Sequence, residues 1–100
     1  MPDLSQIVAF DWDDGNILKS ADKHAVSQAE AEQVFTDPAL LIADDLKHGQ
    51  NEARHQAMGT TADGRLLHVT FTLREKGTKI RVIFARVANR KERGRYAPQA

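Results

Sequence analysis

The strongest constraint on the fold lies in the second half of the chain. Three stretches with strand character, residues 54–59, 66–73 and 79–87, are separated by the turn dipeptides Asp63-Gly64 and Lys76-Gly77. Connections this short favour pairing of each strand with the one before it, so an antiparallel meander is expected. In the middle strand Leu67, Val69, Phe71 and Leu73 alternate with Leu66, His68, Thr70 and Thr72, which predicts one packing face and one half-polar face. The third strand is apolar on both sides. A regular alternation would put Ile80, Val82 and Phe84 on one face and Ile83, Ala85 and Val87 on the other, as in a strand with neighbours on both edges.

The elements around the meander are marked mainly by caps. Ile7, Val8 and Phe10 read as a first short strand, followed by turn and cap chemistry at Asp13, Asp14 and Gly15. Ile17, Leu18, Ala21, His24 and Ala25 then recur at helical spacing. Ser27 with Glu30 forms a capping box, with Val26 and Ala31 at the staple positions, which predicts a second helix over residues 28–35. Asp37-Pro38 stops it, because proline disfavours helical geometry before it and cannot donate the next hydrogen bond. Residues 40–42 have strand character, and the polar run 44–51 reads as a loop. Asn89 with Glu92 repeats the capping signature and opens a last helix running to about residue 96. With 100 residues, 41% hydrophobic and 28% charged, the chain suits a single domain over residues 1–100 with one core. The expected class is α+β, an antiparallel sheet with helices packed on one face.

Composition narrows the chemistry. There is no cysteine, so disulfides, thiolate metal sites and thiol nucleophiles are excluded; this leaves the redox compartment open and fits the cytoplasmic location expected of the chain. No apolar run approaches the roughly 20 residues that span a bilayer, and no signal peptide or membrane association is expected. The formal charge of zero hides a division. Residues 1–50 carry three bases against ten acids, a net of −7, whereas residues 51–100 carry eleven bases against four acids, a net of +7. Eight of those eleven bases are arginine, whose planar fork suits phosphate, so either an anionic partner or pairing between the two halves is implied.

Several residues are placed where they can do chemistry. Lys23-His24 joins an ammonium to an imidazole, which favours the neutral ring and suits a general base; the same histidine also fits a hydrogen-bonded place on the apolar side of its helix. Arg65, Arg81, Arg86 and Arg90 fall at strand ends and at the strand-to-helix junction, where they can converge on one rim. Cleaving RNA without a metal requires a group to take the 2′-hydroxyl proton, cations to hold charge on the phosphorane and a donor for the leaving 5′-oxygen. Arginines meet the second need. Arg81 and Arg86 are an odd number of residues apart, so in a regular strand they point to opposite faces and require a bulge to serve one site. Arg90 and Lys91 lie in the first turn of the last helix, where an anion would relieve their conflict with the helix dipole.

Metal and nucleotide cofactors are not expected. His24, His48, His55 and His68 form no paired-histidine motif, Asp44 and Asp45 near His48 read as a solvated loop, and the six glycines are isolated turn residues. Phe10 and Trp12 can stack on bases but fit the core better.

Taken in order, the residues resemble the BrnT-type ribonuclease toxins of bacterial type II toxin–antitoxin modules. The resemblance rests on Phe10-x-Trp12-Asp13, Lys23-His24, Val26-Ser27, Glu30-Ala31 and Val34-Phe35-x-Asp37-Pro38. It continues through Gly59, Gly64-Arg65-Leu66-Leu67, Val69-x-Phe71-Thr72, Ile80-Arg81-Val82-Ile83, Ala85-Arg86 and Arg90-x-Glu92-Arg93 before Tyr96. It implies a RelE-like microbial ribonuclease architecture and an endoribonuclease that blocks translation. It also implies neutralisation by a BrnA-type ribbon-helix-helix antitoxin and contact with DNA only through that antitoxin, and it allows a homodimer within the toxin–antitoxin complex, whose stoichiometry the sequence leaves open. On this basis the expected catalytic residues are Lys23, His24, Arg65, Arg81 and Arg86, with Arg90, Lys91 and Arg93 binding RNA. Asn16, Ser20, Asp22 and Gln28 depart from the family pattern and make the first helix less basic. Two alternatives follow: a non-catalytic member that binds the antitoxin in an operon repressor complex, and a nucleic-acid binding module.

Overall fold

The computed structural model describes residues 4–12, 26–45 and 53–96. Its elements are β1 (Ala9–Phe10), α1 (Gln28–Val34), β2 (Leu41–Asp45), β3 (Arg54–Thr60), β4 (Leu66–Arg74), β5 (Lys79–Val87) and α2 (Arg90–Arg95). The predicted first helix, with Lys23 and His24, lies outside the described residues. The three meander strands form as expected, and Gly77 turns the second hairpin at a φ of 87°, in the left-handed region where only glycine is unstrained. Asp44 and Asp45 belong to β2 rather than to a loop, because β2 pairs along its whole length with β3.

The sheet order is β1-β5-β4-β3-β2. The expected all-antiparallel sheet is corrected here: β1 joins the outer edge of β5 in parallel, with Ala9 opposite Lys79 and Phe10 opposite Ile80. A two-residue strand carries no sequence mark of its direction; backbone pairing with β5 decides it, through the Val8 and Asp11 amides on the carbonyls of Thr78 and Ile80.

The core lies on one face of the sheet. Leu67, Val69 and Phe71 from β4 and Ile80, Val82 and Ala85 from β5 pack with Val26, Ala31 and Val34 from α1 and the chain before it, all essentially inaccessible. Phe35 closes the cluster between Phe10 and Phe71, its ring edge-on to that of Phe71 with centroids 5.1 Å apart. α1 can approach β3 closely because position 59 is glycine: a Cβ there would come within 2.8 Å of the Val34 carbonyl oxygen.

The opposite face corrects a second expectation, that the helices share one side. Met58, Leu66 and Ala88 form a smaller buried cluster there, covered by Tyr96 at the end of α2. The two described helices therefore sandwich the sheet.

Candidate functional site

β5 departs from regular alternation at one point. Thr70 pairs with Phe84 and Phe71 with Val82, so Ile83 is an extra residue opposite an uninterrupted β4. The bulge lets Val82 and Ala85, three positions apart, both enter the core. It also reverses which side of the strand the following residues take. Arg81 pairs with Thr72 and Arg86 with His68, and cross-strand partners share a face. Arg81 and Arg86 therefore both stand on the face away from the main core. Their cross-strand partners are four residues apart in β4, which at the strand rise is about 13 Å.

Around Arg86, near the end of β5, this face carries an ionic cluster. The Arg86 guanidinium donates to both oxygens of Glu92, at 2.7 and 2.8 Å. The same carboxylate closes the capping box of α2 by accepting from the Asn89 amide at 2.9 Å, while the Asn89 side chain accepts from the Glu92 amide. His68 Nε2 lies 3.6 Å from it. The Arg86 fork holds the Glu92 carboxyl at about 2 against the opposing cost of burial, helped by the Asn89 amide and the His68 ring; in return the Arg86 pKa is raised. The anion expected at the start of the last helix is thus a side chain of that helix itself. Arg90, Lys91 and Arg93 are exposed on α2.

The other arginines sit apart. Arg81 lies 3.4 Å from Asp11, at the β1 edge. Arg65 is on the α1 side, where its Nη1 donates to Glu30 at 2.6 Å. Glu30 is in turn the capping-box residue of α1, and its pKa is lowered chiefly by the Ser27 amide, with Arg65 assisting against burial. A single rim holding Arg65 together with Arg81 and Arg86 is therefore not formed, because residue 65 precedes β4 in the phase of its core-facing side chains.

Trp12 is half-buried against the main core and donates from Nε1 to Glu32 at 2.8 Å. The sequence does not mark Glu92 and His68 as site residues. Glu92 carried the capping signal, but nothing local marks that its carboxylate also meets Arg86 and His68. Among the described residues, no three metal-ligating side chains converge, and no helix is long and apolar enough to cross a membrane.

A mixed five-stranded sheet between two short helices, with arginines on the face away from its main core, defines a small α+β protein of the kind the sequence resembles. The comparisons bear this out. Residues 12–92 match the model of the ribonuclease toxin BrnT of type II toxin–antitoxin systems, and the chain belongs to that family. Among solved structures it resembles the crystal structure of the Brucella abortus ribonuclease toxin BrnT at 19% identity and a TM-score of 0.63, over 83% of this chain and 99% of that one. At that identity the likeness concerns the fold. A search of curated proteins gave no match.

Proposed function

We propose that this chain is an endoribonuclease toxin that cleaves RNA without a metal, inhibits translation and is neutralised by a BrnA-type antitoxin in the cytoplasm. The observation that carries the reading is the bulge at Ile83, which sets Arg81 and Arg86 on one face, beside an α2 bearing Arg90, Lys91 and Arg93. A single-stranded RNA lying along this face would meet cations at both ends of β5. In the reaction the 2′-oxygen attacks phosphorus as it loses its proton, the bond to the 5′-oxygen breaks, and the leaving oxygen is protonated. Arg86 and Arg81 stabilise the charge that builds on the phosphoryl oxygens. Arg86 keeps donors beyond the two it gives Glu92, since a guanidinium has five. Lys23 or His24 supplies the proton transfer, and Arg65 contacts RNA from the α1 side. We read the architecture as RelE-like, the chain as one toxin domain, its contact with DNA as indirect, and its complex with antitoxin as dimeric.

A second reading is favoured by the carboxylates. Arg65, Arg81 and Arg86 each face one, at 2.6, 3.4 and 2.7 Å, as suits a non-catalytic member that acts only in a repressor complex. Purified protein freed of antitoxin and incubated with RNA in EDTA separates the two. Time-dependent cleavage that falls by about 100-fold or more in the Arg81→Ala, Arg86→Ala variant, with the variant still folded, supports the ribonuclease. Absence of cleavage by the folded wild-type protein supports the second reading.

A further inference from the structure

Between α2 and the β2–β3 edge of the sheet lies a half-open cavity of about 160 Å³. Its apolar lining comes from Leu41, Ala43 and Met58, and its polar lining from Gln56, His68 and Arg95. Glu92 also borders it, so the cavity adjoins the carboxylate that holds Arg86. An apolar cavity of about 150 Å³ accommodates one benzene ring, so the space fits a single planar heterocycle and little more. Its chemistry is two-sided. Met58 is largely buried and forms part of the apolar wall, and a polarisable methionine suits contact with a ring. Gln56 accepts a long hydrogen bond from the Thr70 hydroxyl at 3.4 Å, and a glutamine amide carries both donors and an acceptor with which to read the edge of a base. Arg95 is exposed at the mouth, where a guanidinium plane can stack on a ring.

We propose that this cavity is a nucleobase pocket, taking one unstacked base of a single-stranded RNA whose backbone runs past Arg86. The inference rests on the ribonuclease reading for the identity of the ligand. Unstacked bases are the usual target of sequence-specific RNA recognition, and a snug polar-edged slot discriminates among them. A pocket beside the phosphate contact would give cleavage a preference at one position relative to the cut.

The test has two readouts. The first is the amide NMR spectrum of the purified full chain titrated with each nucleoside 5′-monophosphate and with ribose 5-phosphate, which lacks a base. The second is the base preference around cut sites in a mixed RNA pool. Two variants accompany both: Ala43→Phe, which fills the mouth from an exposed strand position that accepts an aromatic, and Gln56→Leu, which removes the polar edge. At least one nucleotide should shift the amides of Ala43, Gln56, Met58 and His68, while ribose 5-phosphate does not. A preference of about tenfold at one position should collapse to within about twofold in each folded variant. Equal shifts with ribose 5-phosphate would reduce the site to a phosphate contact and overturn the proposal. So would a preference unchanged in both variants, or pocket amides that respond to antitoxin but to no nucleotide. Base binding by a protein that cuts no RNA would overturn the ribonuclease reading and leave the pocket standing. Cleavage without base binding would do the reverse.

Discussion

α1 and α2 begin with the same device and are held by different forces. Each opens on a capping box whose glutamate reaches back to the cap amide, Glu30 to Ser27 and Glu92 to Asn89. Each of these glutamates also holds an arginine, Arg65 just before β4 or Arg86 in β5. Neither helix is long enough to persist alone, since isolated helices shorter than about 12 residues are marginal in water. α1 adds Ala31 and Val34 to the dry side of the sheet, whereas α2 buries no residue of its own. It is tied down instead by Glu92 and by Tyr96, whose hydroxyl donates to Asp37 and accepts from Thr60. Apolar burial is non-directional and tolerates a range of side chains. An ionic attachment is directional and depends on pH and salt. The attachment of α2 thus rests mainly on contacts that respond to solution conditions, whereas α1 adds its charged tie, Glu30 to Arg65, to apolar burial.

Removing apolar volume from the α1 side should have the largest effect. Phe71 is fully buried, so Phe71→Ala is expected to cost about 3–5 kcal/mol in urea unfolding. A loss similar to that of an exposed site would break the contrast between the faces.

Next comes Glu92→Gln, which takes the charge from the α2 attachment while keeping its shape. A loss of about 2 kcal/mol at neutral pH is expected. Because the Glu92 pKa is lowered from 4.5 to about 2 in the folded chain, its stabilisation is complete above the unfolded value and is lost as pH falls from about 4.5 toward 2. The variant should therefore show a shallower acid limb than the wild type. A residual acid limb should remain, since Glu30 and Asp37 are also lowered, the latter by the Tyr96 hydroxyl and the Ala39 and Thr60 amides overcoming burial. Identical limbs in wild type and variant would remove Glu92 from the account of α2.

Tyr96→Phe breaks the second tie of α2 and leaves Asp37 with its two backbone donors. About 1 kcal/mol should be lost, with faster hydrogen exchange in α2 than in α1. Uniform acceleration in both helices would mean that they open together. The caps should cost no more than this, and the smallest effect of all is expected at Asn89. Ser27→Ala should cost about 1 kcal/mol globally, and Asn89→Ala should fray α2 locally at a few tenths of a kcal/mol of global stability. Equal global losses would show α2 to be as cooperative with the core as α1.

Much of this was legible because it is local. The hairpin turns, both capping boxes and the stop at Asp37-Pro38 are written in residues a few positions apart, and β3, β4 and β5 formed where alternation and turn chemistry place them. Arg86 was legible as a candidate but its surroundings were not. Glu92 is six residues away in sequence and His68 eighteen, and only the packing of α2 across β4 and β5 brings the three together. Spacing alone groups Arg65 with Arg81 and Arg86 for the same reason, since a rim is a property of faces and not of spacing along the chain.

The sequence by itself determined the three meander strands, the caps that open the two described helices and the family to which the chain belongs. Tertiary structure decided the direction of β1, the side taken by α2 and the bulge at Ile83. With apolar residues at 80, 82, 83, 84 and 85, alternation in β5 permits more than one phase. The choice falls to the partner strand and the core, which admit Val82 and Ala85 together only if one residue is skipped. That displacement, required by packing on one side of the sheet, sets two arginines on the other.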